Sequence, residues 1–179
     1  LQGQEVSITG SLRFEGVADC PPFDGFTVGS AVNRQAIEVS DTTGLVLSNL
    51  DHTAGSYLHI RGNSQVEITD SSLNDLESHE NGTTKITDSS FNWIHIHDGQ
   101  TDIARSTAYR IRQNAGSLVL SHSTITYGNR HDWGFLSHPS ALQTVLYRVK
   151  AQGCEIQVNS RRNWIGYCQI EDGGLWLGW

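Results

Sequence analysis

The sequence predicts an all-β fold, a right-handed parallel β-helix wound as a single-chain solenoid of about nine short rungs, on three observations. The pentapeptide Ile-Thr-Asp-Ser-Ser occurs at 68–72 and again at 86–90, each time before an apolar residue. Apolar residues in the same local setting extend the series both ways: Ile8, Val28, Leu47, Ile68, Ile86, Ile103, Leu120, Leu146 and Ile165, at steps of 20, 19, 21, 18, 17, 17, 26 and 19 residues. Polar columns run beside it, with Ser71, Ser89, Ser106 and Ser123 three residues after the anchor and Gly82, Gly99 and Gly116 four before. Strands that return at this period can each pair with the copy one turn away, about 4.8 Å off, and so use every backbone donor and acceptor.

Each element follows from its residues. The anchor strands alternate with period two, since Val6, Phe26, Leu45, Val66 and Leu118 sit two residues before the anchor. The Asp and Ser that follow suit a corner, where short polar side chains hydrogen-bond local backbone. A second strand is expected roughly eight to thirteen residues after the anchor, in AIEV, YLHI, WIHI, CEIQV and LWLGW. Glycine then closes the polar turn by taking backbone angles that other residues resist. The longest step, 26 residues, predicts a loop inserted between rungs over 127–142. Inward offsets of 0, 5, 8 and 10 fit a hexapeptide helix badly, a β-sandwich needs no aligned Ser and Gly columns, and a propeller blade is about twice this period.

Composition narrows the partners. The 179 residues fit one domain, 1–179, and a start at Leu1 is read as a piece of a longer chain. With 12 Lys and Arg against 19 Asp and Glu, no nucleic-acid partner is expected. No apolar run is long enough to span a membrane. Cys20, Cys154 and Cys168 lack a pairing pattern, and the last two read as small buried residues.

The rung text VEITDSSL, TKITDSSFNWIHIHDG and SLVLSHSTI resembles the pectate-lyase-like β-helix superfamily, and its Ser-rich rungs are most similar to bacteriophage tailspikes and large secreted adhesins. The resemblance implies a β-helical architecture, a homotrimer and an extracellular or virion-associated setting. The calcium-binding Asp cluster and catalytic Arg of pectate lyases map onto no specific positions here, so their activity is not carried over.

Stacking turns sequence offsets into surface neighbours. Residues 7, 9 and 11 after each anchor are expected to point outward: Asp75, Glu77 and His79, then Trp93, His95 and His97, then Arg110, Arg112 and Asn114, with Tyr127 on the next rung. A flat aromatic covers the apolar face of a sugar ring, and Arg grips carboxylates or hydroxyls in a planar fork. The expected ligand-binding set is therefore Trp93, His95, Arg110, Arg112 and Tyr127, joined by Arg130, His131 and Trp133 from the loop. Asp132 and Glu155 are the candidate catalytic carboxylates of a glycosidase. The alternative for this face is ordinary solvated decoration. His95, His97 and Asp98 offer metal-ligand types but no fourth ligand, so no metal and no cofactor is expected.

These residues lead to an expected function: the receptor-binding segment of a phage tailspike or virion fibre that recognises cell-surface polysaccharide, with its degradation as an additional expectation. The competing expectations are a β-helical stalk or passenger segment of a secreted bacterial adhesin, and a free polysaccharide lyase, hydrolase or epimerase.

Overall fold

The computed structural model describes residues 6–8, 12–19, 22–28, 36–52, 57–129 and 132–178. They form a single-chain parallel β-helix of about seven turns, with no helix among them and every strand pairing parallel. Eight strands stack into one sheet: Phe23–Asp24, Leu45–Ser48, Gln65–Thr69, Thr83–Thr87, Gln100–Ala104, Ser117–Ser121, Gln143–Tyr147 and Arg162–Gly166. The other fifteen form a sheet that bends round the remainder of each turn. In Ser72–Ser78, Ser90–Ile96 and Thr107–Gln113 one strand runs through the bend, whereas other turns break there into two short strands.

The anchor column is a register column. Leu47, Ile68, Ile86, Ile103, Leu120, Leu146 and Ile165 are consecutive partners across the eight-stranded sheet. The first six are at most 2 % exposed. Two expected anchors belong elsewhere. Ile8 and Val28 pair with each other in the bent sheet, and Phe23 is the partner that continues the column before Leu47. Apolar spacing alone cannot tell two faces of one turn apart, which is why Val28 was misplaced. The second expected strand is correct: Ile37, Leu58, Leu76, Ile94, Ile111, Phe135, Ile156 and Leu175 form its inward column. The step between them that reads as a corner is itself a narrow face, on which Leu73, Phe91, Ala108 and Ile125 stack.

The repeated pentapeptide encodes the corner. Its Asp takes a left-handed backbone, φ 47° at Asp70 and 51° at Asp88, as do Asn49, Arg105, His122, Arg148 and Tyr167 at equivalent places. Asn and Asp tolerate that conformation better than other L residues. The first Ser of the pair builds a ladder. The Ser71, Ser89, Ser106 and Ser123 hydroxyls each donate to the carbonyl two residues back, at 2.7–2.8 Å. Each also accepts the backbone N–H of Leu50, Ser71, Ser89 or Ser106 on the turn before, at 3.1 Å. The corner thereby satisfies donors that a bend removes from the sheet.

At the opposite turn the glycines stack. Gly99 and Gly116 have φ of 83° and 67°, and a Cβ on Gly116 would lie 2.2 Å from the Gly99 carbonyl oxygen. At Gly82 space is the constraint rather than angle, since a Cβ would meet the Ser64 carbonyl oxygen at 3.0 Å. Within 127–142, Trp133–Ser137 is a strand that continues the inward column, and most of the extra residues lie between Thr124–Ile125 and this strand. Beneath it a buried polar cluster replaces apolar packing. Thr144 Oγ1 donates to Gln113 Oε1 at 2.7 Å, and Gln113 Nε2 donates to the Gly116 and Gln143 carbonyls. Cys154 is buried and Cys168 half-buried; neither is in a disulfide, and Cys20 lies outside the described residues.

Candidate functional site

Parallel register arrays the outer residues of the bent sheet in columns. Tyr57, Asp75, Trp93 and Arg110 form one. Glu38, His59, Glu77, His95 and Arg112 form the next. His79, His97 and Asn114 follow at the strand ends, where their N–H groups bond to Ile60, Ser78 and Ile96 on the preceding turn. The expected neighbours Trp93, His95, Arg110 and Arg112 are therefore brought together. A cleft of about 350 Å³ opens among Tyr57, Asp75, Leu76, Glu77, Trp93 and His95.

Flat groups line this surface in a continuous lane. The His79 and His97 rings stack at 4.1 Å, His97 meets His95 at 3.9 Å, and the His95 and Trp93 planes lie within 3° at 6.0 Å. The Arg110 guanidinium then sits 5.8 Å from the Trp93 ring and 5.1 Å from Tyr127, within cation–π range of both. Tyr109 closes the lane edge-on to Tyr127 at 4.8 Å. Trp93 is 39 % exposed, so part of its ring is open to a ligand.

Hydrogen bonds fix the polar edge of the lane. Arg112 Nε donates to Asn114 Oδ1 at 3.0 Å, which leaves the Asn114 amide nitrogen to donate to His95 Nε2 at 3.0 Å. That nitrogen is then an acceptor and the ring is neutral. Burial first, then His97 and Arg112, push the His95 pKa down to about 4, consistent with this tautomer. Burial likewise lowers His59 and His97.

The loop residues separate. Asp132 accepts the Trp133 N–H at 2.7 Å and the Tyr127 hydroxyl at 2.9 Å, and pairs with Arg110 at 3.4 Å. These donors hold its carboxyl below the usual value, the Trp133 N–H most of all. An anchored, ionised carboxylate suits positioning Arg110 better than shuttling a proton. Glu155 lies beside it in sequence register, its N–H bonded to the Asp132 carbonyl at 3.1 Å and its backbone paired with Trp133. The Trp133 ring packs edge-on to Trp176 at 6.5 Å. Arg130 and His131 lie outside the described residues.

A larger hollow, about 730 Å³, follows the corner past Asp70, Asp88, Ser89 and Arg105. Its floor is the serine ladder, whose hydroxyls are already engaged, and Arg105 grips Asp88 through two hydrogen bonds of 2.6 and 2.8 Å. It offers a ligand fewer open groups than the aromatic lane, which we take as the candidate site. Sequence offsets missed Tyr57 and His59 here. The step before Ile68 is 21 residues, so counting 7 and 9 from Leu47 falls short of Tyr57 and His59, whereas aligning Leu58 and Ile60 on Leu76 and Ser78 recovers both.

Fold and surface together define a class: a parallel β-helix that displays an aromatic and arginine lane along one bent sheet. No protein family, curated protein or solved structure matches the chain. No helix among the described residues is long and apolar enough to cross a membrane.

Proposed function

We propose that this β-helix is the receptor-binding segment of a virion fibre of tailspike type, and that its aromatic lane binds cell-surface polysaccharide. The observation that carries the reading is the Trp93–Arg110–Tyr127 stack beside the cleft at Trp93 and His95. Aromatic faces match the C–H faces of sugar rings, and Arg112 beside them favours an acidic sugar through charge-assisted hydrogen bonds. Because the lane crosses several rungs, it suits an extended chain better than a single sugar.

The proposal includes a homotrimer in an extracellular setting. Trp164, Tyr167, Leu175, Trp176 and Leu177 are each at least 44 % exposed, and contact with further protein would cover them. Degradation of the polysaccharide by Asp132 and Glu155 is secondary to binding, since the Asp132 carboxylate is held by three donors.

A glycan-array screen identifies the ligand class, and calorimetry with a bound acidic polysaccharide measures it. Trp93→Ala and Arg112→Ala are each expected to weaken binding about tenfold or more. Undiminished affinity in both variants sinks the binding face. A polysaccharide whose viscosity falls with wild type but not with Asp132→Asn or Glu155→Gln would add hydrolysis to binding. A monomer at all concentrations would point instead to the stalk of a secreted adhesin.

A further inference from the structure

We propose that His59, Glu77 and His79 form a binding site for a divalent transition-metal ion, Zn²⁺ in the first instance. The site uses no residue of the Trp93–Arg110–Tyr127 stack, although Glu77 also lines the neighbouring cleft and His79 ends the aromatic lane.

The ligand atoms of these three residues all lie within 4.8 Å of one another. His79 Nε2 is 3.3 Å and His59 Nδ1 is 3.7 Å from the same carboxylate oxygen, Glu77 Oε2. Metal bonds of about 2.0–2.1 Å at tetrahedral angles place ligand atoms about 3.3 Å apart, so small side-chain movements would complete the geometry. His59 Nδ1 supplies a second and separate indication: it is buried and has no hydrogen-bond partner, although it is directed towards Glu77. A simple ion pair with Glu77 would draw that nitrogen to about 3 Å.

The surroundings hold the ligands in place. Adjacent strands lock His59 against Glu77 in register. The His97 ring stacks on His79 within 9° of parallel, and Tyr57 packs edge-on against His59 at 5.7 Å. Side chains 20 % to 32 % exposed leave an approach from solvent and room for water as a fourth ligand. Two imidazoles and one carboxylate favour Zn²⁺, Co²⁺ or Ni²⁺ over Ca²⁺ and Mg²⁺, which prefer oxygen.

A second triad, Glu77, His95 and His97, meets the same distance test. There the His95 Nε2 lone pair is taken by Asn114, and the cationic Arg112 is the direct register partner of His95. The first triad carries neither handicap. From sequence alone only His95, His97 and Asp98 stand out as metal ligands, since His59 lies 18 and 20 residues from Glu77 and His79 and no local motif contains all three.

The test is calorimetric titration of chelator-treated protein with Zn²⁺, paralleled by Co²⁺ titration read through its visible d–d bands. Wild type is expected to bind one ion per chain and to give the intense bands of a four-coordinate Co²⁺ site. His79→Ala and Glu77→Gln should each weaken binding about tenfold or more, while His122→Ala, on a different face, should leave it unchanged. His79 lies just beyond its strand, so that variant is expected to keep the wild-type fold by circular dichroism. No saturable binding to wild type would overturn the proposal. Full binding by His79→Ala, with loss in His95→Ala, would overturn the ligand assignment. Loss of glycan binding in Trp93→Ala with metal binding intact would separate the two sites.

Discussion

At Gly116 the chain has no room for a single carbon. A Cβ would fall 2.2 Å from the Gly99 carbonyl oxygen, on a backbone already at φ 67°. Gly116→Ala should therefore cost about 2 kcal/mol or more in a urea melt. Gly128→Ala, where nothing lies within 4 Å, should stay close to neutral. The serines make a complementary point. Ser89 Oγ accepts the Ser71 N–H and donates to the Thr87 carbonyl, so Ser89→Ala leaves the Ser71 N–H without its partner and the Thr87 carbonyl with the Asp70 N–H alone. Its expected cost is about 1–3 kcal/mol, read as a shift in the denaturation midpoint with an unchanged slope. By contrast, Lys85 with Glu67 is an exposed pair at 2.8 Å, worth at most about 1 kcal/mol.

Among elements, the turn contacts between Tyr127 and Asp132 depend on charge. The Asp132 carboxyl is held below its ordinary value of 3.8 by the Trp133 N–H, the Tyr127 hydroxyl and Arg110. A carboxyl depressed on folding contributes its stability above the unfolded value and loses it as pH falls through the folded one. The turn should thus be intact at about pH 5 and loosen below about pH 3.8, which a fluorescence titration of the tryptophans would detect. In Asp132→Asn that acid step should vanish. The anchor strands were legible because each buries one face, so a period of two recurs at a near-constant step. The lane was legible from Trp93 to Arg112 for the same reason, with steps of 18 and 17 residues. Where the step changed, legibility failed: Val28 was assigned to the wrong face and His59 was missed.

Over the whole molecule, each turn contacts only the turns beside it, so stability is close to a sum of rungs and their interfaces. This explains why the architecture could be read from one chain while its ligand could not. A solenoid asks only that inward columns be apolar and corners bend; the outer columns are free to vary, and a particular sugar leaves no period. Metal ligands are harder still, because Glu77 joins His59 and His79 only after the rungs have stacked.

The left-handed corner runs the length of the helix, yet only some of its positions carry residues suited to it. Asn49, Asp70 and Asp88 fit, whereas Arg105, His122, Arg148 and Tyr167 hold the same backbone with side chains that resist it. The C-terminal half of this edge thus keeps an unspent reserve of thermostability. Tyr167→Asn, at a site 82 % exposed, gives up an edge-on contact with Tyr147 for a residue suited to the backbone and should stabilise the isolated chain by up to about 1 kcal/mol, read as a higher melting midpoint. Repeating the change along the edge would give a stiffer β-helix without touching the aromatic lane.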